Sequence, residues 1–188
     1  MRKSLIVPVI AGAFIAVGLY FSFAPTGSKA GENTPKVGQP APDFALPVSA
    51  DQKIQLADFK GRWLVLYFYP KDMTAGCTIE ARRFQKDMDQ FKALNAAVVG
   101  VSADDIGSHN LFSKQEGLTF PLASDVGGKT ARAYDSWYGV NDYGAAMRNT
   151  YLIDPQGRIA KVFTGVNPEG HSSEVLATIR QLKTTANR

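Results

Sequence analysis

Cysteine is almost missing from this chain: Cys77 is the only one in 188 residues. No disulfide can form within the chain, and the paired Cys-x-x-Cys of reversible dithiol chemistry is excluded. Stability has to come from the core. Histidine is nearly as scarce. His109 and His171 stand far apart with no ligand-spaced partners, which predicts no metal site, and nothing in the sequence calls for a cofactor. Charge of one sign is not concentrated anywhere, because the 21 basic and 17 acidic residues that give a net +4 are interspersed. Without a basic block or an aromatic-basic stripe there is nothing to track a phosphate backbone, so nucleic acid is not an expected partner. Internal repeats are also absent. What remains, 45% hydrophobic and 20% charged residues, suffices for one globular domain with a substantial core.

The longest apolar run stands apart from that domain. Arg2 and Lys3 are the only charged side chains before Lys29, and Leu5 to Ala24 is interrupted only by Pro8, Gly12, Gly18 and Ser22. A run of about 20 residues can cross a bilayer as a helix and exceeds the apolar region of most cleaved signal peptides. Residues 1–24 are therefore expected to be a signal-anchor or transmembrane segment, with the rest of the chain carried to the extracytoplasmic side by Arg2 and Lys3. Ser28-Lys29-Ala30 offers a small-x-small cleavage site, and cleavage there would release the domain as a secreted protein. Residues 25–36, rich in Thr, Gly, Ser, Lys, Asn and Pro, read as a linker. The folded unit is expected to span 37–188.

Within it, Ile54-Gln55-Leu56 reads as a short strand and Asp58-Phe59-Lys60-Gly61 as a turn, while the apolar and aromatic run from Trp63 to Tyr69 reads as a strand buried on both faces. Cys77, Glu80, Ala81, Phe84, Met88 and Phe91 then recur at helical spacing, predicting one helix from Thr78 to about Leu94 whose inward stripe begins at the thiol. The sulfur is expected at the protein surface, sheltered by apolar neighbours. Ala96 to Val101 is a second buried strand. The acidic pair Asp104-Asp105 reads as the cap of the next helix rather than as a catalytic dyad. Gly117 to Pro121 gives a short strand signal and Lys129 to Tyr134 a short helix. Thr150–Ile153 and Arg158–Phe163 flank the turn residues Asp154-Pro155-Gln156-Gly157 as a hairpin. Ser172 is placed to cap a last helix with Val175, Leu176, Ile179 and Leu182 on one face. Trp137 and Tyr138 either wall a pocket or pack a loop, with packing the simpler reading. This order of elements predicts an α/β fold: a mixed central sheet with helices on both faces.

Cys77 lies where the strand gives way to the helix. The positive end of the helix dipole and the unpaired amides of the first turn stabilise negative charge on a sulfur placed there. A lone cysteine is otherwise most often a small buried hydrophobe. Its surroundings, however, resemble those of the peroxiredoxins, and within them the bacterioferritin comigratory protein or Q-type group. The shared pattern is Pro70-x-x-x-Thr74-x-x-Cys77, extended by Gly76, Thr78, Glu80, Ala81 and Phe84. Ala41-Pro42-Asp43-Phe44, the stretch Arg148 to Asp154, and Gly170-His171 support it in the same order. Several independent segments make this far more specific than any one motif.

The resemblance implies a thioredoxin-like fold and reduction of hydrogen peroxide or small organic hydroperoxides by the Cys77 thiolate, through a sulfenic acid. It assigns Thr74 a hydrogen-bonding role toward the peroxide, beside its simpler role as helix N-cap, and Arg148 the part of the active-site guanidinium, which spacing alone cannot bring to the thiol. Pro70 would shape the loop and shield the sulfur. Glu80 would either orient an arginine or be an ordinary first-turn acid. The pattern departs at Arg82, where many members of the group carry a second cysteine. With none available, an external thiol such as thioredoxin, glutaredoxin or glutathione is expected to resolve the sulfenic acid. The domain is expected as a monomer or weak dimer. The competing non-enzymatic reading is a peroxide sensor or tethered binding module whose oxidised cysteine engages a partner.

Overall fold

The computed structural model describes residues 34–186; the expected membrane segment and nearly all of the linker lie outside them. Among the described residues no helix is long and apolar enough to cross a membrane.

Among the described residues, nine strands and five α-helices follow one another: β1 Ala45–Pro47, β2 Lys53–Gln55, β3 Trp63–Phe68, α1 Ala75–Lys86, α2 Met88–Ala93, β4 Ala96–Ser102, α3 Ile106–Glu116, β5 Leu122–Ser124, α4 Lys129–Ala133, β6 Trp137–Val140, β7 Tyr143–Ala146, β8 Thr150–Ile153, β9 Ile159–Phe163 and α5 His171–Ala186. The central sheet has five strands in the order β5-β4-β3-β8-β9. Strands β3, β4 and β5 run parallel, whereas β8 and β9 are antiparallel to their neighbours, so the sheet is mixed. Two small antiparallel hairpins, β1-β2 and β6-β7, stand beside it.

The uninterrupted apolar runs of β3 and β4 follow from their central place, because alternate side chains enter two separate cores. Val65, Tyr67 and Val98 point to one face, where Ala81, Phe84, Phe91, Phe112, Val175 and Ile179 from the helices α1, α2, α3 and α5 cover them. Leu64, Leu66, Phe68, Ala97 and Val99 point to the other, against Phe44, Leu46, Ala131 and Tyr134 from the N-terminal hairpin and α4. Helices thus lie on both faces. Full burial of a ring such as Phe84 or Phe91, each 0% exposed, contributes on the order of 2 to 3 kcal/mol.

Several elements differ from the sequence-based expectation. The helix after β3 begins at Ala75 rather than Thr78, and is broken at Asp87 into α1 and α2. Aspartate is a poor helix former, and here its carboxylate accepts bonds from Ser172 Oγ at 2.7 Å and Gln90 Nε2 at 2.9 Å, while its amide closes a tightened turn onto Phe84. Ser172 therefore does not cap α5; it lies inside that helix and ties it to the break. Asp105 does cap α3, accepting from the Ser108 amide at 2.8 Å, but Asp104 has a different task described below. The strand expected at Gly117 to Pro121 forms at β5 instead, where pairing with Gly100 to Ser102 selects the register. Trp137 packs onto the second core, with the Arg132 guanidinium 5.2 Å above its ring, whereas Tyr138 is exposed.

Candidate active site

The site is built where β3 ends. Tyr67 of β3 pairs with Thr150 of β8, and the ladder continues through the Phe68 amide to the Asn149 carbonyl at 2.8 Å. Arg148 is therefore carried to the loop that leaves β3 for α1, across 71 positions of sequence from Cys77. Asn149 pins this approach, donating to Ser136 Oγ at 3.1 Å and accepting from the Gly165 amide at 3.1 Å.

Cys77 is the third residue of α1, within the first turn. Its sulfur is not at the surface: the residue is 1% exposed and belongs to the core beside Tyr67, Tyr69 and Phe84. The expectation of a surface thiol is corrected: as the first residue of the inward stripe, Cys77 packs into the core against Tyr67, Tyr69 and Phe84. All six residues of the anticipated inward stripe, from Cys77 to Phe91, are buried.

Arg148 Nη2 lies 3.3 Å from Cys77 Sγ, and Nη1 lies 2.5 Å from Glu80 Oε2. One guanidinium bridges the thiol and the carboxylate one helical turn beyond it. Burial opposes charge on Arg148, but the sulfur and Glu80 outweigh it and hold the guanidinium above its ordinary value. Gly76 makes room for this: a Cβ there would stand 3.2 Å from Arg148 Nη2 and 3.7 Å from the Pro168 ring. Glu80 is 0% exposed, and its second oxygen has no hydrogen-bond partner among the described residues. Burial pushes its carboxyl up to about 7, more than the pairing with Arg148 pulls it down.

That shift has a measurable sign. A carboxyl whose folded-state value exceeds its ordinary 4.5 favours folding while protonated. Its contribution is fully present below about 4.5 and is lost as the pH rises through 7. The urea midpoint of Glu80→Gln relative to the parent should therefore improve from pH 5 to pH 8, and a constant difference would contradict the assignment.

Thr74 occupies the N-cap position of α1 in extended conformation, yet its side chain makes no capping bond. The expected cap is thus positional only, because the hydroxyl donates instead to the Lys71 carbonyl at 3.0 Å. That bond leaves its lone pairs free. Pro70 is half-buried at the start of the same loop, and Met73 within it adopts a left-handed φ of 58°.

Sequence reasoning missed the groups beneath this loop. Asp72 is 3% exposed, and its carboxylate accepts from Tyr69 Oη at 2.7 Å, from Ser108 Oγ at 2.7 Å and from His109 Nδ1 at 2.8 Å. Its amide donates to Asp104 Oδ2 at 2.9 Å. His109, set aside for want of metal-ligand spacing, sits 37 positions from Asp72, and no periodicity announces such a contact. His171 is likewise buried, bonded through Nε2 to Thr150 Oγ1 at 2.8 Å, and burial lowers its titration to about 4.

A mixed five-stranded sheet with a helix-start cysteine under an arginine from the segment leading into the adjacent antiparallel strand defines a thioredoxin-like thiol enzyme. The model of the AhpC/TSA family matches residues 37–162, and the chain belongs to that family, among the peroxiredoxins of the Bcp or Q type. The "Peroxiredoxin Bcp" of Bacillus subtilis is 39% identical over 153 residues, covering 79% of this chain and 98% of that one. Peroxiredoxin Q of Xanthomonas campestris superposes with a TM-score of 0.69 at 35% identity, over 73% of this chain and 90% of that one. "Peroxidoxin BcpB" of Mycobacterium tuberculosis gives a TM-score of 0.74 at 29% identity, over 78% and 97%. The chain is accordingly a thiol-dependent peroxidase with one cysteine.

Proposed function

We propose that Cys77 is the peroxidatic nucleophile, that Arg148 and Thr74 act on the bound peroxide, and that Glu80 and Pro70 support them. In the first half-reaction the Cys77 thiolate attacks the terminal oxygen of a hydroperoxide. The S–O bond forms as the O–O bond breaks, giving Cys77 sulfenic acid and an alkoxide or hydroxide that takes a proton from solvent. The observation that carries this reading is the 3.3 Å contact between Arg148 Nη2 and Cys77 Sγ. A fixed positive charge there sits where charge develops on the departing oxygen. Glu80 holds the other arm of the guanidinium, and Pro70 contributes no amide that would compete for the peroxide.

Thr74 supports the reaction by accepting a hydrogen bond from the peroxide, which its existing bond to Lys71 leaves it free to do. Thr74→Val should slow sulfenic acid formation about 10-fold, the equivalent of one hydrogen bond of roughly 1.4 kcal/mol, with the circular dichroism spectrum unchanged. Stopped-flow tryptophan fluorescence during single-turnover oxidation reads this directly; an unchanged rate would remove Thr74 from the mechanism.

In the second half-reaction an external thiol condenses with the sulfenic acid, releasing water and leaving a mixed disulfide, which a second thiol reduces to regenerate Cys77. Arg82 supports this one-cysteine cycle: it pairs with Glu116 on α3 at the position where a resolving cysteine would stand. Hydrogen peroxide and small organic hydroperoxides suit a sulfur only 1% exposed. The apolar run Leu5 to Ala24 supports membrane attachment, with the domain on the extracytoplasmic side. Mass spectrometry of the native protein, looking for residues 1–30, tests that placement.

A further inference from the structure

We infer that Asp72 and His109 are positioning residues for the peroxide reaction: a buried carboxylate-histidine clamp that fixes the loop carrying Thr74 and the first turn of α1 against α3. The inference rests on the peroxidase reading and adds to it two residues that do not touch the reacting atoms.

The loop from Pro70 to Thr74 needs an external hold. Strand pairing ends at Phe68, helical bonding starts with the Thr78 amide on the Thr74 carbonyl, and Met73 between them is exposed and at positive φ, a conformation that costs a non-glycine residue energy unless neighbours impose it. The only buried side chain of the segment Lys71 to Thr74 is that of Asp72. It is held from both ends, the carboxylate by Tyr69, Ser108 and His109 and the amide by Asp104. Asp104 is itself fixed by Ser102 Oγ at 2.7 Å, and its carbonyl accepts from Ser124 Oγ at 2.6 Å. The loop is thereby locked to the ends of β4 and β5 and to the first turn of α3.

Burial opposes the charge of Asp72, but the bonds from His109, Tyr69 and Ser108 outweigh it and keep the carboxyl below its ordinary range. An ionised carboxylate so enclosed makes charge-assisted bonds, stronger and shorter than neutral ones, and so gives a stiff clamp. His109 spends only one ring nitrogen on it. Nδ1 faces Asp72, while Nε2 is buried without a partner among the described residues. The imidazole thus acts here as a single donor at the γ-branch of the side chain.

That economy supplies the test. Asparagine carries an amide nitrogen at the place of histidine Nδ1, so His109→Asn keeps the donor to Asp72, whereas His109→Leu keeps volume and loses it. Rates of Cys77 oxidation by hydrogen peroxide would be measured by stopped flow, with thermal midpoints recorded alongside. His109→Leu should oxidise at least ~10-fold more slowly, since a misplacement near 1 Å can cost as much as 100-fold. His109→Asn should stay within about 2-fold of the parent even where its midpoint has fallen. Should His109→Leu not fold, Ser108→Ala, which removes a second donor to the same Asp72 oxygen, replaces it and should slow oxidation at least ~3-fold. Loss of midpoint with slowing smaller than these thresholds, or equal slowing by the Asn and Leu variants, would overturn the clamp as a positioning device. A parent protein inert to peroxide would instead overturn the peroxidase reading and the clamp with it.

Discussion

Cys77→Ser is expected to reduce thiol-dependent peroxide consumption to the uncatalysed rate while leaving the fold intact. The effect is total because the chain has one cysteine, so no other sulfur can form a sulfenic acid or take over the cycle. A serine hydroxyl at the same position is not ionised near neutral pH and does not attack a peroxide oxygen. The fold should survive, since oxygen replaces sulfur within a well-packed first turn and the Arg148 guanidinium remains as a donor 3.3 Å from the original Sγ. The stability change should be within about 1 kcal/mol. Peroxide loss followed with each candidate thiol, beside a urea unfolding curve, separates the two outcomes. Residual turnover in this variant would place the chemistry elsewhere.

Arg148→Met should slow sulfenic acid formation by about 10² to 10³, the range seen when one preorganised donor to a developing negative charge is removed. Methionine matches the length of the arginine stem but supplies neither charge nor donor. This substitution also has a structural consequence that must be kept apart from the kinetic one. Glu80 is 0% exposed and its Oε2 is bonded to Arg148. Deleting one partner of such a buried pair costs roughly 3 kcal/mol or more when the other remains charged, and Glu80, already pushed up to about 7, should answer by holding its proton to still higher pH. Adding Glu80→Gln to Arg148→Met removes the stranded carboxylate. The double variant should recover much of the stability and none of the oxidation rate. Recovery of rate as well would show that Arg148 matters only through packing.

The parts of this molecule written in local pattern were legible in the sequence. The two-sided apolar runs Trp63 to Tyr69 and Ala96 to Val101 hold the central strands β3 and β4, and the three-four spacing from Cys77 to Phe91 identified the buried stripe of the helices. The resemblance around Pro70, Thr74 and Cys77 led to the family. The break at Asp87 was not legible, because it depends on Ser172, 85 positions away, and propensity alone does not weigh a tertiary hydrogen bond. The start of α1 at Ala75 agrees with Thr74 as the N-cap position rather than with a helix begun at Thr78, although Thr74 spends its hydroxyl on Lys71 instead of on a capping bond. Arg148 could be linked to Cys77 only through the resemblance, since the register of β3 against β8 is what carries it there. The polar cluster of Asp72, Ser108 and His109 was invisible, for its members come from a loop and a helix joined only through the folded sheet.

Trapping the product of a single oxidation is the most direct test of the central claim. The reduced protein would be mixed at neutral pH with one equivalent of hydrogen peroxide in the presence of a sulfenic-acid-selective diketone, and the adduct located by peptide mass spectrometry. One label per chain on the peptide containing Cys77, formed far faster than on the urea-unfolded protein, is the expected result. Absence of the label, or labelling no faster than in the unfolded chain, would mean that the enclosure of this sulfur by Arg148 and the first turn of α1 confers no peroxidase chemistry.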